Sequence, residues 1–74
     1  MSNNDYDRIL KRFGLKLREI RNKKGWTLEE TESHGWTSWR HLQKIEAGKN
    51  INLATLFRLS KLYKIKASEL LEGL

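Results

Sequence analysis

The sequence predicts an all-α fold of five short helices, and three observations point to it. Apolar residues recur every three or four positions along most of the chain, which is the spacing of one helix face. No segment alternates apolar and polar residues as a half-buried strand does. Glycines at positions 25, 35 and 48 follow three of the helical segments, where they are typical of helix ends.

The N-terminal part of the chain predicts one long helix. Residues 1–5 are mostly polar and are expected to be disordered or frayed. A chain of 74 residues has room for one domain, which is expected to span residues 6–74. The first helix is predicted from Tyr6 to Lys24. Gly14 lies within its apolar pattern and weakens it slightly. The residues expected on its buried face are Leu10, Phe13, Leu17 and Ile20.

A second, shorter helix is predicted at residues 27–34 and ends near Gly35. Thr27 and Glu30 fit a capping box, in which the hydroxyl accepts from one free backbone N–H and the carboxylate from another. Glutamates early in this segment also suit the positive end of the helix dipole. The start of this helix is therefore encoded locally.

Three further helices are predicted in the second half of the chain. The third runs from Ser38 to Ala47, and Asn52 is expected to be the N-cap of the fourth. The fifth carries Leu70 and Leu71 to the end of the chain. The expected buried face of the fourth helix consists of Leu53, Leu56, Leu59 and Tyr63.

The charge distribution points to a polyanionic partner. Fifteen Lys and Arg residues against nine Asp and Glu residues give a net charge of +6. From Trp36 to Lys66 there are seven basic residues and one acid, Glu46. An excess of positive charge along one part of a small domain favours nucleic acid.

Several classes of site are not expected. The chain has no cysteine and only two histidines, so neither disulfides nor a structural metal site is predicted, and no cofactor motif is present. The sequence shows neither the residue pattern of a serine–histidine–acid catalytic triad nor a phosphate-binding loop, so an enzyme is not expected. No apolar run is long enough for a membrane span, and no signal peptide is recognisable. A cytoplasmic, nucleoid-associated protein is predicted.

Residues 27–47 have the plan of a helix-turn-helix, which is two short helices joined by a turn that contains glycine. A major groove is about as wide as one α-helix, so a braced second helix can present side chains to base edges. The outer face of that helix is expected to carry Arg40, Gln43 and Lys44. Trp39, a large hydrophobe in a chain with few of them, is expected to pack into the core.

Together these segments resemble the Cro/phage-repressor type of helix-turn-helix, the XRE family, whose fold is lambda-repressor-like. The resemblance covers about residues 13–71. The most specific element of the resemblance is the segment Ile45–Lys49, together with the number of residues that separates it from the first helix. The other matching segments are Leu17–Arg21, Gly25–Glu30, Leu53–Leu56 and Glu69–Leu71, together with Leu59, Tyr63 and Ile65.

The resemblance implies a role for each of three sets of residues. It makes residues 38–47 the recognition helix, and it makes Arg21 and Glu46 a structural ion pair that ties the first helix to the third. The residues placed at base edges are Ser38, Trp39, Arg40, Gln43 and Lys44. Those placed at DNA phosphates are Thr27, Thr37, Lys49 and Asn50.

The sequence departs from the family pattern around the turn. Leu28 stands where a polar residue is usual, Thr31 where leucine is usual, and Glu32 where a small alanine is usual. The glycine of the turn, Gly35, lies one residue earlier than the family pattern places it. Either the supporting helix ends one residue early or Trp36 takes an unusual backbone conformation, and either Thr37 or Ser38 is the N-cap of the recognition helix. Glu32 needs a polar partner or a changed crossing angle.

The resulting hypothesis is a sequence-specific regulator of transcription, for example a repressor, that binds double-stranded DNA as a homodimer on a palindromic operator. The expected dimer surface comprises Phe57, Leu71 and Leu74, although Phe57 fits the core equally well. The alternative is a protein-interaction module that keeps the fold without reading bases. Arg40, Gln43 and Lys44 facing solvent together favour DNA, whereas an exposed patch of Trp36 and Trp39 favours a protein partner.

Overall fold

The computed structural model describes residues 3–74, with side chains from Asp5 onward, and this part of the chain is entirely helical apart from its turns and loops. The prediction of an all-α fold with five helices is confirmed. The elements are α1 (Asn3–Lys23), a 3₁₀ helix (Glu29–His34), α2 (Trp39–Glu46), α3 (Leu53–Tyr63) and α4 (Ala67–Leu71).

Helix α1 begins at Asn3, three residues before the predicted start. Residues 3–5 are therefore part of this helix, and residues 1–2 lie outside the described residues, so the expected disorder or fraying of residues 1–5 stays a prediction. Phe13 and Leu17 are buried as predicted, but Leu10 is only half-buried.

The core forms where α1, α2, α3 and α4 meet, around Leu17, Leu42, Leu59 and Leu70, all fully buried. Trp36, from the turn before α2, adds its indole to this core. The burial of this apolar surface is the main force that stabilises so short a chain.

Two predictions of burial were wrong. Leu53 is 68% exposed, and Trp39 is half-buried and lies outside the core cluster. Both residues begin a helix, and the 100° step per residue turns each away from the centre of the buried face that the later residues define. The buried residues of α3 are Thr55, Leu56, Leu59, Leu62 and Tyr63, and those of α2 are Leu42 and Ile45.

Gly14 allows α1 and α2 to cross at very short distance. A methyl group at this position would lie 2.6 Å from the carbonyl oxygen of Ile45 and closer still to that of Glu46. Backbone atoms cannot move aside as the end of a side chain can, so any larger residue would push the two helices apart. The slight loss of helix propensity at Gly14 is thus accompanied by a close approach that fixes the position of α2.

The end of α4 is held against α1 by Lys16. Its ammonium group donates to the backbone carbonyl of Glu69 at 2.5 Å and to that of Glu72 at 2.7 Å. Carbonyls at a helix C-terminus lack partners within the helix, and a cation there also complements the helix dipole. Lys16 thus closes the C-terminal part of the fold.

Among residues 3–74, no helix combines the length and the apolar character that a membrane span requires. The described side chains also include no cluster of three or more groups placed to bind a metal ion.

Candidate nucleic-acid interface

The predicted pair of capping hydrogen bonds between Thr27 and Glu30 forms at the entry to the supporting helix, whose N-cap position is Leu28. The backbone N–H of Thr27 donates to Glu30 Oε1 at 2.8 Å, and the N–H of Glu30 donates to Thr27 Oγ1 at 3.1 Å. Hydrogen bonding to the backbone N–H of Thr27, and to a smaller extent to its side chain, holds the pKa of the Glu30 carboxyl below its ordinary value. The local sequence therefore determines where this helix starts.

The supporting element is a 3₁₀ helix, not an α-helix. The N–H of Thr31 donates to the carbonyl of Leu28, three residues earlier, at 3.1 Å. Thr31 is completely buried, and its hydroxyl donates to the same carbonyl at 2.5 Å. A hydroxyl in place of the leucine usual in the family is thus accommodated, because its polar group is satisfied within the turn.

The turn follows Gly35, and the supporting helix ends one residue early. Gly35 has φ +105°, a left-handed conformation that glycine adopts without a steric penalty, and the N–H of Trp36 donates to Thr31 O at 3.0 Å. Among non-glycine residues of the described chain only Lys64 has positive φ, so Trp36 keeps an ordinary backbone. The first of the two alternatives for the register is the observed one.

The N-terminus of α2 is capped by a residue from the other helix. Ser38, not Thr37, occupies the N-cap position, with φ −156° and ψ 120°, but its side chain makes no capping hydrogen bond. Glu32 Oε2 instead accepts from the backbone N–H of Trp39 at 2.8 Å. Glu32 has therefore found a polar partner, and its carboxylate also lies at the positive end of the α2 dipole.

The C-terminus of α2 is tied to α1 by Arg21 and Glu46, the pair that the resemblance implied. Arg21 Nε donates to Glu46 Oε2 at 2.8 Å and Nη2 donates to Oε1 at 3.0 Å. Arg21 Nη1 also donates to the carbonyl of Trp26 at 2.9 Å. The side chains are 9% and 7% exposed, and the hydrogen bond to Glu46 raises the pKa of Arg21 above its ordinary value.

Tyr63 lies in the core near this ion pair. The residue is 1% exposed, and its hydroxyl has no hydrogen-bond partner among the described residues. Burial, reinforced by the charge of Glu46, raises the pKa of Tyr63 to about 12. The indole of Trp26 stacks on Tyr63, with centroids 5.8 Å apart, and on His34 at 3.8 Å, so Trp26 links the core to the end of the supporting helix.

The outer face of α2 carries polar side chains that are free to meet a ligand. Arg40, Gln43 and Lys44 are all exposed, and none of them forms a hydrogen bond or ion pair through its side chain within the described chain. The guanidinium of Arg40 lies 5.3 Å from the centroid of the Trp39 ring, a cation–π contact. The ring of Trp39, which was wrongly predicted to be in the core, thus packs against the guanidinium of Arg40. The neighbouring Ser38 is half-buried.

The four candidate phosphate contacts lie in three exposed places. Thr27 lies two residues before the supporting helix, Thr37 lies in the turn, and Lys49 and Asn50 follow α2. Thr27 already uses its hydroxyl and N–H in the capping box, and Asn50 Oδ1 accepts from the N–H of Ile51 at 2.9 Å. Lys49 forms no ion pair with a described residue.

Arg18 is a candidate that the sequence reasoning missed. It lies on α1, exposed, and lines a depression of about 200 Å³ together with Leu28, Gln43 and Ala47, beside the Arg21–Glu46 pair. The sequence held one signal for it, because Arg18 precedes Arg21 by three residues and so shares its side of α1.

A second, apolar groove lies on another part of the surface. It has a volume of about 220 Å³ and is bordered by Phe13, Leu53, Leu71 and Leu74, among others. Leu71 is 48% exposed, whereas Leu74 is half-buried and packs against the core. Phe57 is 57% exposed, so it does not belong to the core.

A comparison with models of known protein families identifies the family to which this arrangement of helices belongs. A family model described as helix-turn-helix matches residues 17–70, which include both helices of the motif, the turn between them and the Arg21–Glu46 pair. No curated protein and no solved structure was found to be significantly similar to the chain. Members of the matching family are DNA-binding regulators of transcription and are typically not enzymes. The chain belongs to the Cro/phage-repressor-type (XRE) helix-turn-helix family.

Proposed function

We propose that this protein is a sequence-specific regulator that places α2 in the major groove of double-stranded DNA. The observation that carries the proposal is the exposed and unpaired set of Arg40, Gln43 and Lys44 on the outer face of one anchored helix. A helix held firmly by its neighbours can present such side chains to base edges without having to order them first.

The chemistry of these side chains indicates what they read. Arg40 can donate two hydrogen bonds to the O6 and N7 of guanine, and Gln43 can pair with adenine, each such contact discriminating by about 1–3 kcal/mol. The cation–π contact with Trp39 limits the orientations open to Arg40 before it meets DNA. Lys44 and Ser38 complete the set proposed to face the groove.

Contacts to the DNA backbone are proposed on both sides of α2. Lys49 supplies a charge, and Asn50 and Thr37 supply polar side chains in exposed loops. At Thr27 the Glu30 carboxylate already accepts the backbone N–H, so its contribution is expected to be the smallest of the four. Such contacts fix the position of the protein along the duplex and carry no sequence information.

Two copies are proposed to act together on an approximately palindromic operator, within the cytoplasm and on the nucleoid. A single recognition helix contacts few base pairs, and a dimer doubles the number read. The apolar groove bordered by Leu71 and Leu74, together with the exposed ring of Phe57, is the surface proposed to join the copies. Repression by occupying a promoter is the simplest activity of such a dimer.

The alternative of a protein-interaction module receives less support. Such a module would present Trp36 and Trp39 as an exposed aromatic patch. Trp36 is 6% exposed, and Trp39 lies under the guanidinium of Arg40. The polar face of α2 supports DNA as the partner.

Selection from a pool of random duplexes tests the proposal. Purified protein at near-physiological salt is expected to enrich a motif with two half-sites about one helical turn apart. The protein should bind the enriched duplex about 10³-fold more tightly than scrambled DNA. If no motif is enriched and all binding disappears as salt rises, the positive charge is only a non-specific footprint and the proposal is wrong.

A further inference from the structure

We infer that the depression between α1 and α2 binds the sugar–phosphate backbone of the DNA, with Arg18 as its phosphate ligand. The inference rests on the proposed function and adds a contact from α1, an element to which neither the sequence pattern nor the family resemblance assigned one. The ligand is one strand of duplex DNA next to the bases that α2 reads.

Arg18 has a charge that nothing in the described chain neutralises. Its guanidinium forms no hydrogen bond or ion pair there. The two nearest pairs on α1 are already complete, because Arg21 is bound to Glu46 and Lys23 lies 3.8 Å from Glu19. An exposed and unpaired guanidinium is the group best suited to bind a phosphate in two places.

The walls of the depression explain why a backbone unit fits it. Gln43 belongs to the outer face of α2 and forms one side, so the depression adjoins the proposed reading face directly. Leu28 and Ala47 contribute apolar surface to its lining, which suits the carbon surface of a deoxyribose better than a polar base edge. The Arg21–Glu46 pair also lines the depression, and because its opposite charges offset one another, the attraction for phosphate comes from Arg18.

Leu28, which stands where the family usually has a polar residue, contributes to this depression. The half-buried side chain packs against the core and still lines the depression. In place of a polar contact it adds apolar surface to the depression that the exposed Arg18 also lines.

The test is the salt dependence of DNA binding by Arg18→Gln, with Arg12→Gln as the matched control. Arg12 is an exposed arginine of the same helix and does not line the depression. Because each phosphate contact releases counterions, Arg18→Gln should reduce the slope of log K against log salt by about 0.9 for each bound copy of the protein. The loss of affinity should be equal for the selected duplex and for scrambled DNA, since a phosphate contact carries no sequence information.

A second measurement locates the phosphate. Single methylphosphonate groups, which are uncharged, are placed along the selected duplex. One position in each half-site should weaken binding by the wild-type protein and have no further effect on Arg18→Gln. Equal slopes for Arg18→Gln and wild type, or an equal change for Arg12→Gln, would overturn the inference.

The two proposals fail in different ways. If no motif is enriched but Arg18→Gln still lowers the salt slope on scrambled DNA, the backbone contact stands and specific reading does not. If a motif is enriched and the slope is unchanged, the regulator stands and the contact from α1 does not.

Discussion

The two ends of α2 are held in very different ways. At the C-terminal end, Glu46 shares two hydrogen bonds with Arg21, both side chains are almost completely buried, and the backbone rests against Gly14 of α1. At the N-terminal end, one hydrogen bond joins the N–H of Trp39 to Glu32, which is exposed. The recognition helix is anchored at one end and lightly capped at the other.

This difference has an energetic meaning. Breaking a buried ion pair by removing one partner typically costs about 3–5 kcal/mol, whereas loss of a helix cap costs about 0.5–2 kcal/mol. The Arg21–Glu46 pair is therefore expected to contribute more to stability than the hydrogen bond from Trp39 to Glu32. Substitutions at the two ends should separate stability from DNA binding.

The largest effect is expected at the anchored end, from Arg21→Ala. It leaves the Glu46 carboxylate buried and unpaired and should lower the free energy of unfolding by about 3–5 kcal/mol. Denaturant unfolding followed by circular dichroism measures this. The double change Arg21→Met with Glu46→Leu should be less harmful than either single change, because no charge is left unpaired.

The control for this prediction is Lys23→Ala, which breaks the exposed pair with Glu19. Its effect should stay within about 0.5 kcal/mol. If Arg21→Ala behaved like Lys23→Ala, the Arg21–Glu46 pair would not be an anchor.

The next largest effect is expected from Gly14→Ala. The added methyl group meets the carbonyls of Ile45 and Glu46, and overpacking of this kind costs about 1–3 kcal/mol even though alanine favours helix by about 1 kcal/mol. Because Gly14 is not among the glycines with positive φ, this cost reports the contact with α2 and not a strained backbone. A thermal melt of Gly14→Ala that matches or exceeds the wild type would mean that the helices do not approach so closely.

A smaller effect is expected at the other end, from Glu32→Ala. Loss of the cap should reduce stability by about 0.5–2 kcal/mol. The same change removes a negative charge beside the proposed DNA surface, so affinity for scrambled DNA should rise and discrimination should fall. Glu29→Ala, an exposed acid of the same 3₁₀ helix, is the matched control, and an identical result for both would mean that the hydrogen bond to Trp39 has no role.

The smallest effect at neutral pH is expected from Tyr63→Phe, which removes an unpartnered buried hydroxyl and should change stability by no more than about 1 kcal/mol. Because the folded-state pKa is raised from 10.0 to about 12, folding favours the neutral phenol. Its contribution is complete below about pH 10 and is lost as the pH rises towards 12.

Unfolding measured between pH 9 and pH 12 should therefore show an alkaline loss of stability that Tyr63→Phe diminishes. Tyr6→Phe, at a site that is 54% exposed, should leave the loss as it is. Equal alkaline profiles for the two variants would contradict the raised pKa of Tyr63.

The sequence predicted what depends on neighbours along the chain. The capping box at Thr27 and Glu30 and the Asn52 cap, whose Oδ1 accepts from the N–H of Thr55 at 2.8 Å, need only a three-residue spacing. The Arg21–Glu46 pair, 25 residues apart, was expected only because the family has it.

The sequence could not predict what depends on how the helices meet. Glu32 caps a helix seven residues later because the turn at Gly35 brings the two together, and no local pattern encodes that distance. Arg18 joins Gln43 only after α1 and α2 have crossed. Leu53 looked buried because its spacing was counted from the start of α3, whereas the buried face is set by the residues that follow it.

The most direct test of the account is the ratio of Kd values on scrambled and selected DNA, measured for wild type, Arg40→Ala and Gln43→Ala, with Lys61→Ala on α3 as the exposed control. Both α2 variants should fold normally and lose discrimination equivalent to about 1–3 kcal/mol for each half-site, while Lys61→Ala keeps the wild-type ratio. An unchanged ratio in both α2 variants would contradict reading of DNA by α2.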